Sequence, residues 1–204
     1  MSLEQRLGNP VRKKPEQPLW KVLSPWLAIG ALLVLTAFLL HSQGRFWICT
    51  CGTVLLWAGN IWSADNSQHL LDPYSLTHLL HGFVFFWLLA WLLPRLPFTW
   101  QLWLALVIEA TWEVVENSAA VIERYRVATV SLGYTGDTVI NSLADIGVCG
   151  LGFWLARRLG WRRTLAIFII SEVVLLFWIR DGLLLNVLML LYPIDAVKHW
   201  QAAH

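Results

Sequence analysis

Residues 74–93 read YSLTHLLHGFVFFWLLAWLL, twenty positions without a Lys, Arg, Asp or Glu, bracketed by Pro73 and Pro94. A helix rises 1.5 Å per residue, so a run of about this length crosses the roughly 30 Å apolar core of a bilayer. Working outward, similar runs occur at about 24–41, 98–117, 138–156 and 164–180. The chain is 57% hydrophobic and 14% charged, with 14 Trp in 204 residues, and its mean hydropathy is +0.58. A soluble core of this size cannot bury so much apolar surface, and ordinary soluble domains are about 25% charged. The reading is an all-α, polytopic transmembrane bundle of about five spans. Residues 1–23 are expected to be a flexible basic cytoplasmic tail, and 24–204 a single transmembrane domain. The run Trp26–Leu40 follows basic residues as a signal peptide would. No small-residue cleavage site follows it, so it is read as an uncleaved first span. Two shorter stretches, 46–62 and 183–192, are read as interfacial or re-entrant, with a true extra span as the alternative for either. A net charge of +2 is too small to point to nucleic acid.

Cationic residues set the expected direction. With the N-terminus inside, Arg6, Arg12, Lys13, Lys14, Lys21, Arg95, Arg157, Arg158, Arg162 and Arg163 fall inside, and Arg45, Arg124, Arg126, Arg180 and Lys198 outside. The expected orientation has a cytoplasmic N-terminus.

Ionisable groups within a bilayer cost at least about 2.5–3.5 kcal/mol each and are functional candidates by default. His78 and His81 are three apart and share a helical face, with Asp72 and Ser75 near its start. Glu109, Glu113 and Glu116 form a stripe on the third span, with Asn117 following. Asp137, Asn141 and Asp145 form another on the fourth, and Gly136 permits the turn into it. With alternating span directions, all three rows fall in the outer half of the membrane. If the helices are neighbours, the rows face one cavity open to the outside. Glu172, Arg180, Asp181, Arg124 and Arg126 are further candidates for its polar wall, the arginines as neutralising partners.

Imidazole and carboxylate together suit zinc, iron or manganese. The expected ligands are His78, His81, Glu113, Glu116 and Asp137, with Glu109 or Asp145 as general base or supporting group. The expected substrate is a membrane lipid or lipid-linked molecule. Two competing readings use the same residues: a proton- or cation-coupled pathway, or a structural salt-bridge network. Cys49 and Cys51 can form a disulfide, hold a soft metal or be inert. Asn66, Gln68 and His69 are read as an outer lip. Cys149 lies among Gly147, Gly150 and Gly152, a small-residue packing face.

The motifs ICTCG (48–52), NSQHLLDPYSLTHLLHG (66–82), EATWEVVENS (109–118), IERYR (122–126), YTGDTVINSLADIG (134–147) and RDGLLLNVLMLLYPIDAVKHWQ (180–201) together resemble a bacterial family of multi-pass inner-membrane proteins containing a domain of unknown function. The resemblance spans nearly all of 25–201. It implies an inner-membrane location and brings no activity, cofactor or site residues.

Overall fold

The computed structural model describes residues 19–129 and 133–203, with side chains from Leu23 onward. These residues form eight helices and no strand: α1 (Leu19–Ser42), α2 (Ser75–Leu92), α3 (Phe98–Glu116), α4 (Ala119–Ala128), α5 (Val139–Leu159), α6 (Trp161–Trp178), α7 (Leu183–Leu191) and α8 (Asp195–Ala202). Residues 1–18 of the expected tail lie outside the described residues. Residues 19–23 are already helical, which moves the start of the first helix ahead of the expected boundary.

Three helical segments are long and apolar enough to cross a membrane: Leu23–Ser42, Ser75–Leu92 and Val139–Leu159. Helices α6 and α7 together pass as a fourth, bent by 69°. Helix α3 is as long as its neighbours, but its three glutamates lower its apolar character. The expected fivefold count therefore stands as three or four by length and composition. Large apolar side chains point outward around the bundle, among them Leu27, Val34, Trp91 and Phe177. Such a surface needs an apolar partner, and lipid is one.

Helix α5 is central and touches α1, α2, α3 and α6. Its most extensive partner is α2, and two glycines set how close they come. A Cβ on Gly82 would lie 2.1 Å from the Cys149 carbonyl oxygen, and one on Gly152 would lie 2.2 Å from that of Leu79. Small residues thus allow backbone contact, as membrane helix pairs often require. Of the expected small-residue face, Gly152 makes this contact. Gly150 meets the Leu106 side chain at an ordinary 3.4 Å, and Gly147 faces open space. Beyond the crossing, Leu89, Leu102, Ala105, Leu106 and Phe153 form a dry core between α2, α3 and α5.

The stretch 46–62 is not helical; it is a buttress. Backbone N–H groups of Val139 and Ile140, orphaned at the start of α5, donate to the carbonyls of Phe46 (2.8 Å) and Trp47 (3.2 Å). Ala58 N–H donates to the Leu71 carbonyl at 2.8 Å, and Trp57 and Leu71 form an isolated parallel bridge. The stretch 183–192 holds the short helix α7, folded back at the 69° bend.

Candidate metal centre

The polar site begins where the chain turns into α2. Asp72 accepts hydrogen bonds from the N–H groups of Tyr74 (2.7 Å) and Ser75 (3.3 Å), while its own N–H donates to the Ser75 hydroxyl at 3.1 Å. This reciprocal cap satisfies donors the helix cannot. The other Asp72 oxygen accepts the Ser67 N–H at 3.0 Å, which helps hold Ser67 in the left-handed region at φ 60°. One and two turns on, the helix aims two imidazoles at α3. His78 Nδ1 lies 2.5 Å from Glu109 Oε1, and His81 Nδ1 lies 3.0 Å from Glu109 Oε2. One buried carboxylate therefore serves both rings.

The glutamate stripe continues along α3 from there. Glu113 Oε1 is 3.3 Å from His78 Nδ1, and Asp145 Oδ2 on α5 is 3.9 Å from His78 Nε2. His78 thus faces three carboxylates, all buried. At the C-terminal end of α3 Asn117 clamps Asp137 twice: its amide donates to Asp137 Oδ2 and its oxygen accepts the Asp137 N–H, both at 2.7 Å. Gly136 has φ +93°, a turn that L side chains rarely adopt, and a Cβ there would lie 2.9 Å from Asn117 Oδ1. Tyr125 donates its hydroxyl to Glu116 (2.7 Å), and Tyr134 donates to Asp137 (2.8 Å). Asn141 is buried at the first turn of α5, its amide 3.5 Å from the Leu70 carbonyl.

The sequence-predicted residues divide cleanly. His78, His81, Glu109, Glu113, Glu116, Asn117, Asp137, Asn141 and Asp145 come together, so the three rows do converge. The arginines do not join them. Arg124 donates to the Leu190 carbonyl, Arg126 to that of Tyr134, and Arg180 to those of Trp200 and Ala203. Their planar forks hold loops and chain ends instead of neutralising the acids of the cluster; the ion pair Arg126 makes is with Glu123 outside it, at 3.8 Å. Glu172 accepts the N–H groups of Leu183 (2.8 Å) and Leu184 (3.0 Å), capping α7. Asp181 accepts from Gly182 N–H and from the Tyr74 hydroxyl at the edge of the site. The reading of charges passed over the phenols. Tyr125 lies inside the motif IERYR, where the arginines drew attention, and Tyr134 opens YTGD. Of the expected lip residues, Asn66 lines the cleft, Gln68 donates to the Gly136 carbonyl, and His69 turns toward Leu55.

Electrostatics accompany this geometry. Burial pushes the Tyr125 and Tyr134 phenols well above their usual range, reinforced by the nearby carboxylates of Glu116 and Asp137. Both therefore stay protonated and act as donors. Burial also raises the Asp72 and Asp137 carboxyls. For Asp72 the Asp137 charge adds to this, while N–H groups of Tyr74 and Ser67 and the charge of His78 oppose it. Two imidazoles face six carboxylates here, and no Lys or Arg of the described residues forms an ion pair with them. Glu113 Oε1 and Asp145 Oδ1 are buried without a hydrogen-bond partner, the 3.3 Å approach of His78 to Glu113 being misaligned for one. Three overlapping groups hold ligand atoms within 4.8 Å of one another: His78, His81 and Glu109; His78, Glu113 and Asp145; and Glu113, Glu116 and Asp137. A cleft of about 60 Å³ opens over them, walled by Asp72, Tyr74, Trp112, Asn186 and Val187 among others.

Residues 40–203 match a family described as "Protein of unknown function (DUF2585)". The chain is 50% identical over 183 residues to a UPF0314 protein of Paracoccus denitrificans, covering 88% of this chain and 93% of that one. It is 47% identical over 176 residues to one of Rhizobium meliloti (86% and 89%), and 45% over 177 to one of Sphingopyxis alaskensis (87% and 94%). No solved structure matches. The chain belongs to the UPF0314 family of bacterial proteins that carry this domain of unknown function.

Proposed function

We propose that this UPF0314 protein is a metal-dependent enzyme of the bacterial inner membrane, with its cleft on the outer side and a lipid or lipid-linked molecule as substrate. One observation carries the reading: six buried or half-buried carboxylates share two imidazoles, no ion-paired Arg or Lys, and two orphaned buried oxygens. A salt-bridge network would have drawn in Arg124, Arg126 or Arg180, and it has not. A divalent cation supplies the missing positive charge and takes up the orphaned oxygens.

Membrane topology follows the same reading. Helix α3 is a further span because its polar stripe faces α2 and α5 and not lipid, and with α6 it brings the count to five. The cleft then lies at the outer ends of α2, α3 and α5. The disulfide between Cys49 and Cys51, on that face, suits an oxidising compartment.

His78, His81, Glu113 and Asp145 are the ligand set the geometry favours. Glu109 joins them by contact, which shifts it from the expected general base to ligand or orienting anion. Glu113 belongs to two of the three groups, the position of a carboxylate shared between neighbouring cation sites. Glu116 and Asp137, oriented by Tyr125, Tyr134 and Asn117, form the outer pair. Metal bound here supplies an activated water or polarises a phosphoryl or carbonyl oxygen. Asp145 would divide its two oxygens, Oδ2 facing His78 on the metal side and the unpartnered Oδ1 left to accept a proton at the cleft wall. The aromatic and apolar side of the cleft, with Trp112, Leu183 and Val187, accommodates an acyl or isoprenoid chain entering from the bilayer.

The test is elemental analysis of detergent-purified protein. Near-stoichiometric zinc, iron or manganese is expected, with loss in both His78→Ala and Glu113→Ala. Metal-free wild-type protein that moves protons across liposomes would replace this reading with a relay along His81, Glu109, His78 and Glu113.

A further inference from the structure

A second chemical centre lies in the buttress loop, away from the carboxylate cluster. Cys49 and Cys51 are joined by a disulfide, with Cα atoms 5.2 Å apart. Both sulfurs, one ring nitrogen of His69 and one carboxylate oxygen of Asp65 lie within 4.8 Å of one another. The two sulfurs differ in access: Cys49 is buried, and Cys51 is exposed. His69 is itself only 2% exposed, unusual for a histidine in a surface loop.

The hydrogen bonds of His69 decide between two uses of this cluster. Its Nδ1 accepts the Leu55 N–H at 3.2 Å, and its Nε2 lies 3.5 Å from Asp65 Oδ1. A neutral imidazole that accepts at Nδ1 carries its hydrogen on Nε2. A metal at Nε2 would move that hydrogen to Nδ1, directly against the Leu55 N–H. A metal at Nδ1 would displace the Leu55 bond outright. Both routes to a zinc site thus break a part-buried hydrogen bond of the backbone. An Nε2–H donor, in contrast, is what a sulfur anion needs. Cys49 Sγ already accepts the Cys51 N–H at 3.1 Å, and a ring nitrogen of His69 lies within 4.8 Å of it, so a thiolate on Cys49 would have a backbone donor in place and an imidazole N–H close by.

We propose that Cys49–Cys51 is a thiol–disulfide exchange site that accepts electrons from a dithiol, with His69 as the residue that positions and stabilises the leaving sulfur. The exposed Cys51 Sγ is the point of attack. A thiolate of the incoming dithiol forms a bond to it, the Cys49–Cys51 bond breaks, and the electron pair leaves on Cys49. The second thiolate of the dithiol then attacks its partner sulfur in the mixed disulfide and expels Cys51. Of the two protons lost by the dithiol, one is taken up through solvent by Cys51 and the other is left in solvent, Cys49 remaining a thiolate. The dithiol is oxidised to a disulfide, and the protein's disulfide is reduced to a thiol and a thiolate. This step is independent of the metal reading, since none of its atoms belongs to the carboxylate cluster.

The experiment uses full-length protein in detergent, exposed to dithiothreitol and quenched by thiol alkylation with mass readout. Cys149 is fully buried and serves as the unlabelled internal control. Wild-type protein is expected to gain two labels while still folded, together with ultraviolet thiolate absorbance. His69→Asn keeps an acceptor near the Leu55 N–H and deletes only the Nε2 donor. It is expected to melt as wild type yet open roughly tenfold more slowly and lose the thiolate absorbance, given how strongly a leaving thiol's stability governs exchange. Three results overturn the proposal: a disulfide that opens only on denaturation, His69→Asn opening at the wild-type rate, or zinc added to reduced protein shielding both thiols from alkylation.

Discussion

The pair α2 and α5 is two interfaces in one. Past the point where Gly82 meets Cys149 and Gly152 meets Leu79, the helices are dry and touch backbone to backbone. Before that point the same two helices hold His78, His81, Asp137 and Asp145, which α3 joins with Glu109 and Glu113. The glycine half gains from dispersion between close surfaces, which needs no ligand and tolerates no added volume. The acidic half carries like charges at short range and is complete only with protons or a cation. The contrast suggests that one half of the seam holds the fold and the other half, built on that rigid support, is free to do chemistry.

Substitutions on either side of the crossing can break this division. Gly152→Leu in the dry half is expected to have the largest effect, a loss of at least about 3 kcal/mol or failure to accumulate, because its Cβ would sit 2.2 Å from a backbone carbonyl. Thermal melting of purified protein, or its absence from membranes, checks this. A variant that melts as wild type would mean the helices are not locked there. Glu113→Gln in the acidic half is expected to act in the opposite direction. It removes a buried charge, so chelator-treated protein should gain about 1–2 kcal/mol while bound metal is lost. Destabilisation of the chelated protein would instead place Glu113 among structural ion pairs.

The smallest effect sharpens the boundary. Burial and the Asp137 charge raise the Asp72 carboxyl above its ordinary 3.8. A folded value above the unfolded one means the contribution is fully present below about 3.8 and is lost as pH rises through the folded value. Metal-free protein should therefore lose stability as pH climbs from 4 toward neutrality. Asp72→Asn, which keeps a cap at α2, should make that decline shallower by a few tenths of a kcal/mol. An unchanged slope in melting against pH would remove Asp72 from the balance.

Much of this was legible in the chain. The apolar runs announced α1, α2, α5 and α6, and the 3- and 4-residue spacings placed His78 with His81 and aligned Glu109, Glu113 and Glu116. Periodicity reveals which side chains share a face, and hydropathy reveals which segments leave water. Gly136 before Asp137 also marked its turn. The stretch 46–62 was harder to read, because Gly-interrupted apolar residues look alike in a loop and in a re-entrant segment. Only its carbonyls, spent on Val139 and Ile140, show it to be a buttress.

The sequence alone determined that this is an all-helical protein with helices long and apolar enough to cross a membrane and three rows of ionisable groups, because those properties are local and additive along a helix. The tertiary structure decided who meets whom. It paired Gly82 with Gly152, made Glu109 the shared acceptor of two histidines, brought in Tyr125 and Tyr134, and sent the arginines to backbone carbonyls. Those choices depend on rotation and offset between helices, and packing of whole surfaces sets these where no single motif can.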